Sequence, residues 1–218
     1  MRVPVELVLI LPYPARVIAL IDYGAGNLHS VEKALRFLGA DVKRVARPEQ
    51  LKDARAAVLP GVGAFDDCLQ AMQKQELLEG SREYVKTGRP FLGICVGYQA
   101  LFERSEEFNS CAAGLGLFKG KVVRFSGRDG VKVPQIGWNQ VEFTRKSKLL
   151  KRIADKHFFY FVHSYYADPL DRSRVLGKTN YGISFASILE QEPVFAVQFH
   201  PEKSQAAGLQ LLKNFITY

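Results

Sequence analysis

The sequence predicts an α/β fold in a single domain, with a mostly parallel central sheet flanked by helices and antiparallel strands in the C-terminal half. Apolar runs alternate with segments of helical spacing between residues 16 and 104, and aromatic, glycine-punctuated segments fill the second half. Alternating strands and helices imply βαβ units, whose buried parallel strands are continuously apolar. With 218 residues, 47% of them hydrophobic, the chain suits one medium domain and does not fit the disordered, collagen-like or coiled-coil classes.

The N-terminal half is predicted to hold four strands separated by helices. The strands cover Val17–Ile21 and residues 41–46, 56–59 and 90–95. Apolar residues at helical spacing predict a helix that stops at Gly39: Leu28, Val31, Leu35 and Leu38. Polar helical sequence follows over about residues 66–86, and a further helix is predicted over residues 97–104.

The second half is predicted to consist of short strands followed by one helix. The strand segments are residues 122–125, 139–143, 158–166, 182–189 and 194–199. The helix begins near Ser204, with an apolar face of Leu209, Leu212, Phe215 and Ile216. No linker or repeat interrupts the chain, so we expect one domain over residues 16–218, preceded by an N-terminal extension of unknown status at residues 1–15.

Charge and cysteine content limit which compartment and which kinds of partner the sequence predicts. Thirty Lys and Arg against 22 Asp and Glu give a net charge of +8, but the basic residues are scattered, which favours a solvated surface over nucleic-acid binding. The three cysteines form no CxxC pair, which favours a reducing compartment. The apolar run at residues 7–11 is too short to span a membrane or to form a typical signal-peptide core. The sequence therefore predicts a soluble cytoplasmic protein that contacts no membrane.

Cys95 is the residue that most clearly indicates chemistry. It is the centre of a GxCxG pattern between an apolar strand and a predicted helix, which is the nucleophile-elbow arrangement with cysteine in place of serine. Small flanking residues permit a sharp turn, and the positive end of a following helix would favour the thiolate. Cys68 and Cys111 lack these features and are interpreted as structural cysteines.

A cysteine nucleophile needs a base and a group that orients the base. His200 and Glu202 stand two positions apart after a predicted strand, so in extended chain their side chains would project to the same side. The glycine-rich turn at residues 60–63 also follows a strand, and its N–H groups could bind an oxyanion together with the amide of Val96. No phosphate loop, complete dinucleotide fingerprint or zinc spacing is present, so neither a cofactor nor a metal is predicted.

These motifs resemble those of the class I, triad glutamine amidotransferases, which carry a GxCxG elbow and a late HPE. The resemblance covers about residues 16–218 and is greatest to the glutaminase subunits of imidazole glycerol phosphate synthase. Its supporting stretches are residues 22–27, 60–65, 93–99, 134–139, 160–165 and 199–204. The PQIGWN and YFVHSY stretches and Lys203 distinguish that subfamily from its relatives. Val96 and Tyr98 stand where the subfamily usually has leucine and methionine, which puts the shape of the glutamine pocket in question.

The resemblance implies a reaction and a set of site residues. It implies that Cys95 attacks the glutamine amide, that His200 oriented by Glu202 transfers protons, and that glutamate and ammonia are released. The oxyanion would be held by backbone N–H groups of Gly63 and Val96. The amino-acid end of glutamine would be held by residues of two segments: Gln99, Ser164 and Tyr165.

The resemblance also implies a partner. Ammonia would pass to a (β/α)₈-barrel synthase subunit of a heterodimer that makes imidazole glycerol phosphate and aminoimidazole carboxamide ribotide in histidine biosynthesis. Four residues match positions near that docking surface: Asn27, Trp138, Tyr160 and Lys203. Three alternatives remain at this point: a subunit of another amidotransferase such as anthranilate synthase, a non-catalytic relative, and a nucleic-acid-binding protein.

Overall fold

Five parallel strands form one side of the sheet: the four predicted in the N-terminal half and, as the fifth, a strand from the second half of the chain. In spatial order these strands are β2 (Asp41–Val45), β1 (Val17–Ile21), β3 (Ala56–Gly61), β4 (Phe91–Cys95) and β12 (Val194–Val197). Every residue of β3, β4 and β12 is buried, which explains their continuous apolar character. The computed structural model describes residues 17–127 and 131–218, so the extension expected at residues 1–15 lies outside the described residues.

Helices connect the parallel strands, and one helix is the last element of the chain. They are α1 (Leu28–Phe37), α2 (Phe65–Lys74), α3 (Leu77–Lys86), α4 (Val96–Gln99) and α5 (Gln205–Ile216). The helical segment predicted over about residues 66–86 is helical, but it forms two helices, because Glu76 adopts a left-handed φ of 58° and separates α2 from α3. None of the helices in the described part of the chain is long and apolar enough to cross a membrane.

The C-terminal helix buries a somewhat different face from the predicted one. Leu212 and Phe215 are buried as expected, together with Leu211 and two small residues. Leu209 and Ile216 are only partly buried against the core. The small residues matter because a Cβ on Gly208 would lie 1.9 Å from the carbonyl oxygen of Pro201. The helix therefore packs closely on the turn that follows β12.

Antiparallel pairing dominates the second half. Its strands are β5 (Phe102–Ser105), β6 (Phe118–Arg124), β7 (Gln135–Phe143), β8 (His157–His163), β9 (Tyr165–Pro169), β10 (Val175–Tyr181) and β11 (Ile183–Gln191). β11 pairs antiparallel with β12 and carries the sheet on through β10, β7 and β8. The expected strand over residues 158–166 is two strands, which pair with different neighbours on either side of Ser164. β10 was not predicted.

The helix predicted over residues 97–104 is also wrong. α4 ends at Gln99, and β5 begins at Phe102 and pairs parallel with β6. The side chain of Phe102 is fully buried, with its ring centroid 5.8 Å from that of Phe118 and 5.7 Å from that of Tyr98. Tertiary packing of this aromatic cluster therefore overrides the local helical preference.

The carboxyl ends of the parallel strands lie at one edge of the sheet. β1 leads to Asn27, β3 to Gly63, β4 to Cys95 and β12 to His200. Ligand sites of open α/β sheets lie beyond this edge. The fold thus brings together segments that are far apart in the sequence.

Candidate active site

Cys95 occupies a strained turn between β4 and α4. Its backbone angles are φ 56° and ψ −111°, a conformation of a kind that costs a residue other than glycine about 1–3 kcal/mol. The turn also needs glycine, because a Cβ on Gly97 would lie 1.9 Å from the carbonyl oxygen of Leu59 and one on Gly93 would lie 2.7 Å from that of Gly97. Close packing of β3, β4 and α4 therefore holds Cys95 in this conformation.

The helix that follows Cys95 is shorter than expected. A helix does begin directly after Cys95, as expected, but α4 is a single turn from Val96 to Gln99, so it lacks the dipole of the longer helix predicted over residues 97–104. The chain instead presents individual N–H groups. Within the described residues, the N–H groups of Val96 and Gly63 donate to no backbone acceptor, and both residues line the same cavity as Cys95.

His200 and Glu202 form a buried pair. His200 Nδ1 lies 2.9 Å from Glu202 Oε1, and the two side chains are 2% and 0% exposed. His200 itself is extended, as the following proline predicts, with φ −99° and ψ 96°, but the strand does not continue, because β12 ends at Val197 and Pro201–Lys203 form a 3₁₀ turn. The pairing arises instead within that turn, and the N–H of His200 donates to the carbonyl oxygen of Tyr160 at 2.9 Å.

His200 interacts with the Cys95 side chain as well as with Glu202. His200 Nε2 is buried and has no conventional hydrogen-bond partner among the described residues. Burial lowers the pKa of His200, but its interactions with the Cys95 sulfur and the Glu202 carboxylate outweigh burial and raise the pKa to about 10. The site therefore favours an imidazolium between two acidic groups.

A cavity of about 350 Å³ opens beside Cys95, within the size range of small-molecule sites. The three predicted glutamine-binding residues line it together with the catalytic candidates: Gln99, Ser164, Tyr165, Cys95 and His200. Val96 also lines the cavity, whereas Tyr98 does not: its side chain is fully buried and donates to the carbonyl oxygen of Ala186 at 2.9 Å. Of the two departures from the subfamily pattern, only Val96 touches this space.

Three polar residues at the site were missed from the sequence. Glu107 lines the cavity and accepts from the N–H of Phe65 at 2.7 Å, and burial raises the pKa of its carboxyl.

His163, interpreted from the sequence as a packing or hydrogen-bonding residue, also lines the cavity. Its Nδ1 lies 2.7 Å from the carbonyl oxygen of Tyr165, and burial lowers its pKa to about 4. Gln198 contacts the Cys95 sulfur, and its only sequence signal is its place two residues before His200.

The four residues expected at a partner surface are only partly brought together. Trp138 and Tyr160 pair across β7 and β8, with ring centroids 6.0 Å apart. Lys203 Nζ lies 5.9 Å from the Tyr160 ring centroid, and Lys203 also lines the cavity. Asn27 lies at the same edge of the sheet but makes no hydrogen bond or ring contact with these three within the described residues.

Known proteins match this chain over most of its length. The family model for class I glutamine amidotransferases matches residues 19–217. The HisH subunit of imidazole glycerol phosphate synthase from Chromobacterium violaceum is 48% identical over 209 residues, covering 92% of this chain and 97% of that protein. The HisH subunit from Aquifex aeolicus is 47% identical over 196 residues, covering 89% and 93%.

More distant solved structures share the fold. PurLQS from Thermotoga maritima aligns with a TM-score of 0.74 at 18% identity, covering 93% of this chain and 98% of that one. A structure described as a glutamine amidotransferase aligns with a TM-score of 0.69 at 20% identity, covering 88% and 94%. From the family match and the identity to the HisH proteins, the chain belongs to the class I glutamine amidotransferase family and, within it, to the HisH subunits of imidazole glycerol phosphate synthase.

Proposed function

We propose that Cys95, His200 and Glu202 hydrolyse glutamine to glutamate and ammonia. As a HisH-family protein, the chain is the glutamine amidotransferase subunit of imidazole glycerol phosphate synthase, which acts in histidine biosynthesis. The observation that carries the residue assignment is the strained Cys95 in contact with His200, which is itself paired with Glu202 in a buried site. A nucleophile, a base and an orienting carboxylate in this order are the components of a catalytic triad.

The steps follow from the charges at the site. The Cys95 thiolate attacks the carbon of the glutamine side-chain amide, and the carbonyl oxygen becomes an oxyanion. His200, held as an imidazolium, protonates the amide nitrogen as its bond to carbon breaks, so that ammonia leaves and a glutamyl thioester remains. The neutral imidazole then takes a proton from water, which attacks the thioester. Glutamate leaves, and the thiolate and imidazolium are restored.

The cavity supplies the remaining contacts. The unused N–H groups of Gly63 and Val96 are the donors for the oxyanion, and one such donor typically contributes about 2.7–4 kcal/mol in the transition state. Gln99, Ser164 and Tyr165 hold the amino-acid end of glutamine from the same cavity. The cavity wall thus encloses a space suited to a small polar substrate.

The proposal includes transfer of the ammonia to a barrel synthase subunit in a heterodimer. A partly apolar surface supports this: Ile136 and Trp138 on β7 are 63% and 46% exposed, and Phe158 on β8 is 49% exposed. Exposed aromatic and aliphatic groups beside a site favour a protein partner. Lys203 connects this surface with the cavity, because it contacts Tyr160 and also lines the cavity wall. Cytoplasmic location and an amidotransferase domain over residues 16–218 complete the proposal.

The test is glutamate release from glutamine, measured with and without the barrel subunit and its nucleotide substrate. We expect Cys95→Ala to abolish release while the protein remains folded and binds the partner. Cys68→Ala is the matched control, because Cys68 is also buried but lies outside the cavity. Turnover by Cys95→Ala near the wild-type rate would refute the assignment of the nucleophile.

A further inference from the structure

Gln198 is a buried amide that lies between the nucleophile and the cavity wall. Its side chain is fully buried, and its Nε2 lies 4.0 Å from the Cys95 sulfur. On its other side, Gln198 Oε1 lies 3.1 Å from Gln99 Nε2. Gln99 Nε2 also lies 3.0 Å from the carbonyl oxygen of Tyr165. The four groups form one continuous polar chain that ends at the sulfur.

The backbone carbonyl at one end fixes the polarity of this chain. A carbonyl oxygen only accepts, so the group of Gln99 that faces Tyr165 must be its NH₂. The second N–H of that NH₂ then faces Gln198, which must present its oxygen. Gln198 consequently directs its own NH₂ to Cys95. The orientation of both amides follows from hydrogen-bond satisfaction alone.

We propose that Gln198 is a positioning residue that donates an N–H to the Cys95 thiolate and is held in that orientation by Gln99 in the wall of the cavity. The proposal rests on Cys95 being the nucleophile. A donor to sulfur stabilises the thiolate over the thiol in a site that water barely reaches, since Cys95 is 4% exposed.

The test is the pH dependence of Cys95 alkylation by iodoacetamide, followed by mass spectrometry of the Cys95 peptide. Gln198→Leu removes the donor with little change in shape, and we expect the alkylation midpoint to move to higher pH by about one unit. Gln99→Leu leaves the donor in place but removes its orienting partner, so we expect a smaller shift in the same direction. If Gln198→Leu fails to fold, Gln99→Leu carries the test.

Thr179→Val is the matched control, because it removes a buried hydrogen bond to Ser187 that does not involve the sulfur. We expect this variant to lose stability but to keep the wild-type alkylation profile. For Gln198→Leu we also expect kcat for glutamate release to fall about tenfold. Wild-type alkylation profiles in both Gln198→Leu and Gln99→Leu would overturn the inference. That result is distinguishable from failure of the proposed function, which would appear as activity in Cys95→Ala.

Discussion

Replacing Glu202 by glutamine tests whether a buried carboxylate controls the imidazole. Glu202 Oε1 lies 2.9 Å from His200 Nδ1, and both side chains are almost fully buried. A hydrogen bond to a charged group contributes about 1.5–3 kcal/mol, and each 1.36 kcal/mol is a factor of ten in rate. Because the substitution keeps the shape and removes the charge, we expect kcat for glutamate release to fall roughly 10- to 150-fold.

We also expect the substitution to shift the pH dependence of the rate. Burial lowers the pKa of His200, while Cys95 and Glu202 raise it to about 10. Without the charge of Glu202 the effect of burial is less opposed, so the pKa of His200 falls. Protonation of the leaving amide nitrogen needs the imidazolium, and the alkaline limb of the rate profile should therefore move to lower pH.

The assay is the rate of glutamate release measured from neutral pH to about pH 10. Glu190→Gln is the control, because Glu190 is another buried carboxylate, bonded to Arg145 and Ser147 near the opposite end of β12. We expect that control to lose stability without moving the pH profile. A Glu202→Gln enzyme with near-wild-type kcat and an unmoved alkaline limb would refute the reasoning.

Two further predictions concern the backbone turn and the acid stability. Gly97→Ala places a Cβ 1.9 Å from the carbonyl oxygen of Leu59. We therefore expect the free energy of unfolding, measured in urea, to fall by about 1–3 kcal/mol, and the activity to fall by a larger factor. Wild-type values of both quantities would contradict the packing argument. His163 has a pKa of about 4 instead of 6.5, so the stability it contributes is present above pH 6.5 and is lost as the pH falls toward 4. This loss amounts to at most about 3 kcal/mol, and His163→Phe should show a correspondingly flatter dependence of unfolding free energy on pH in urea titrations; an equally steep dependence would count against it.

Local patterns were sufficient for the parallel strands. Val17–Ile21 was predicted with the bounds that the structure shows, because a strand buried on both faces must be apolar at every position. The GxCxG pattern was informative for a similar reason, since only glycine permits the approach of α4 to β3. The helix predicted beyond Cys95 failed because burial of Phe102 against Phe118, a contact between distant segments, decides the strand there.

The sequence by itself determined the fold class, the nucleophile candidate and its candidate partners, because each of these depends on residue types at short spacing. The tertiary structure decided how His200 meets Glu202, since the chain turns after Val197 instead of continuing as a strand. It also decided which polar groups reach the sulfur. Gln198 and Glu107 carry no distinguishing pattern of their own, and only the meeting of β4, β12 and the loop after β5 places them beside Cys95 and its cavity.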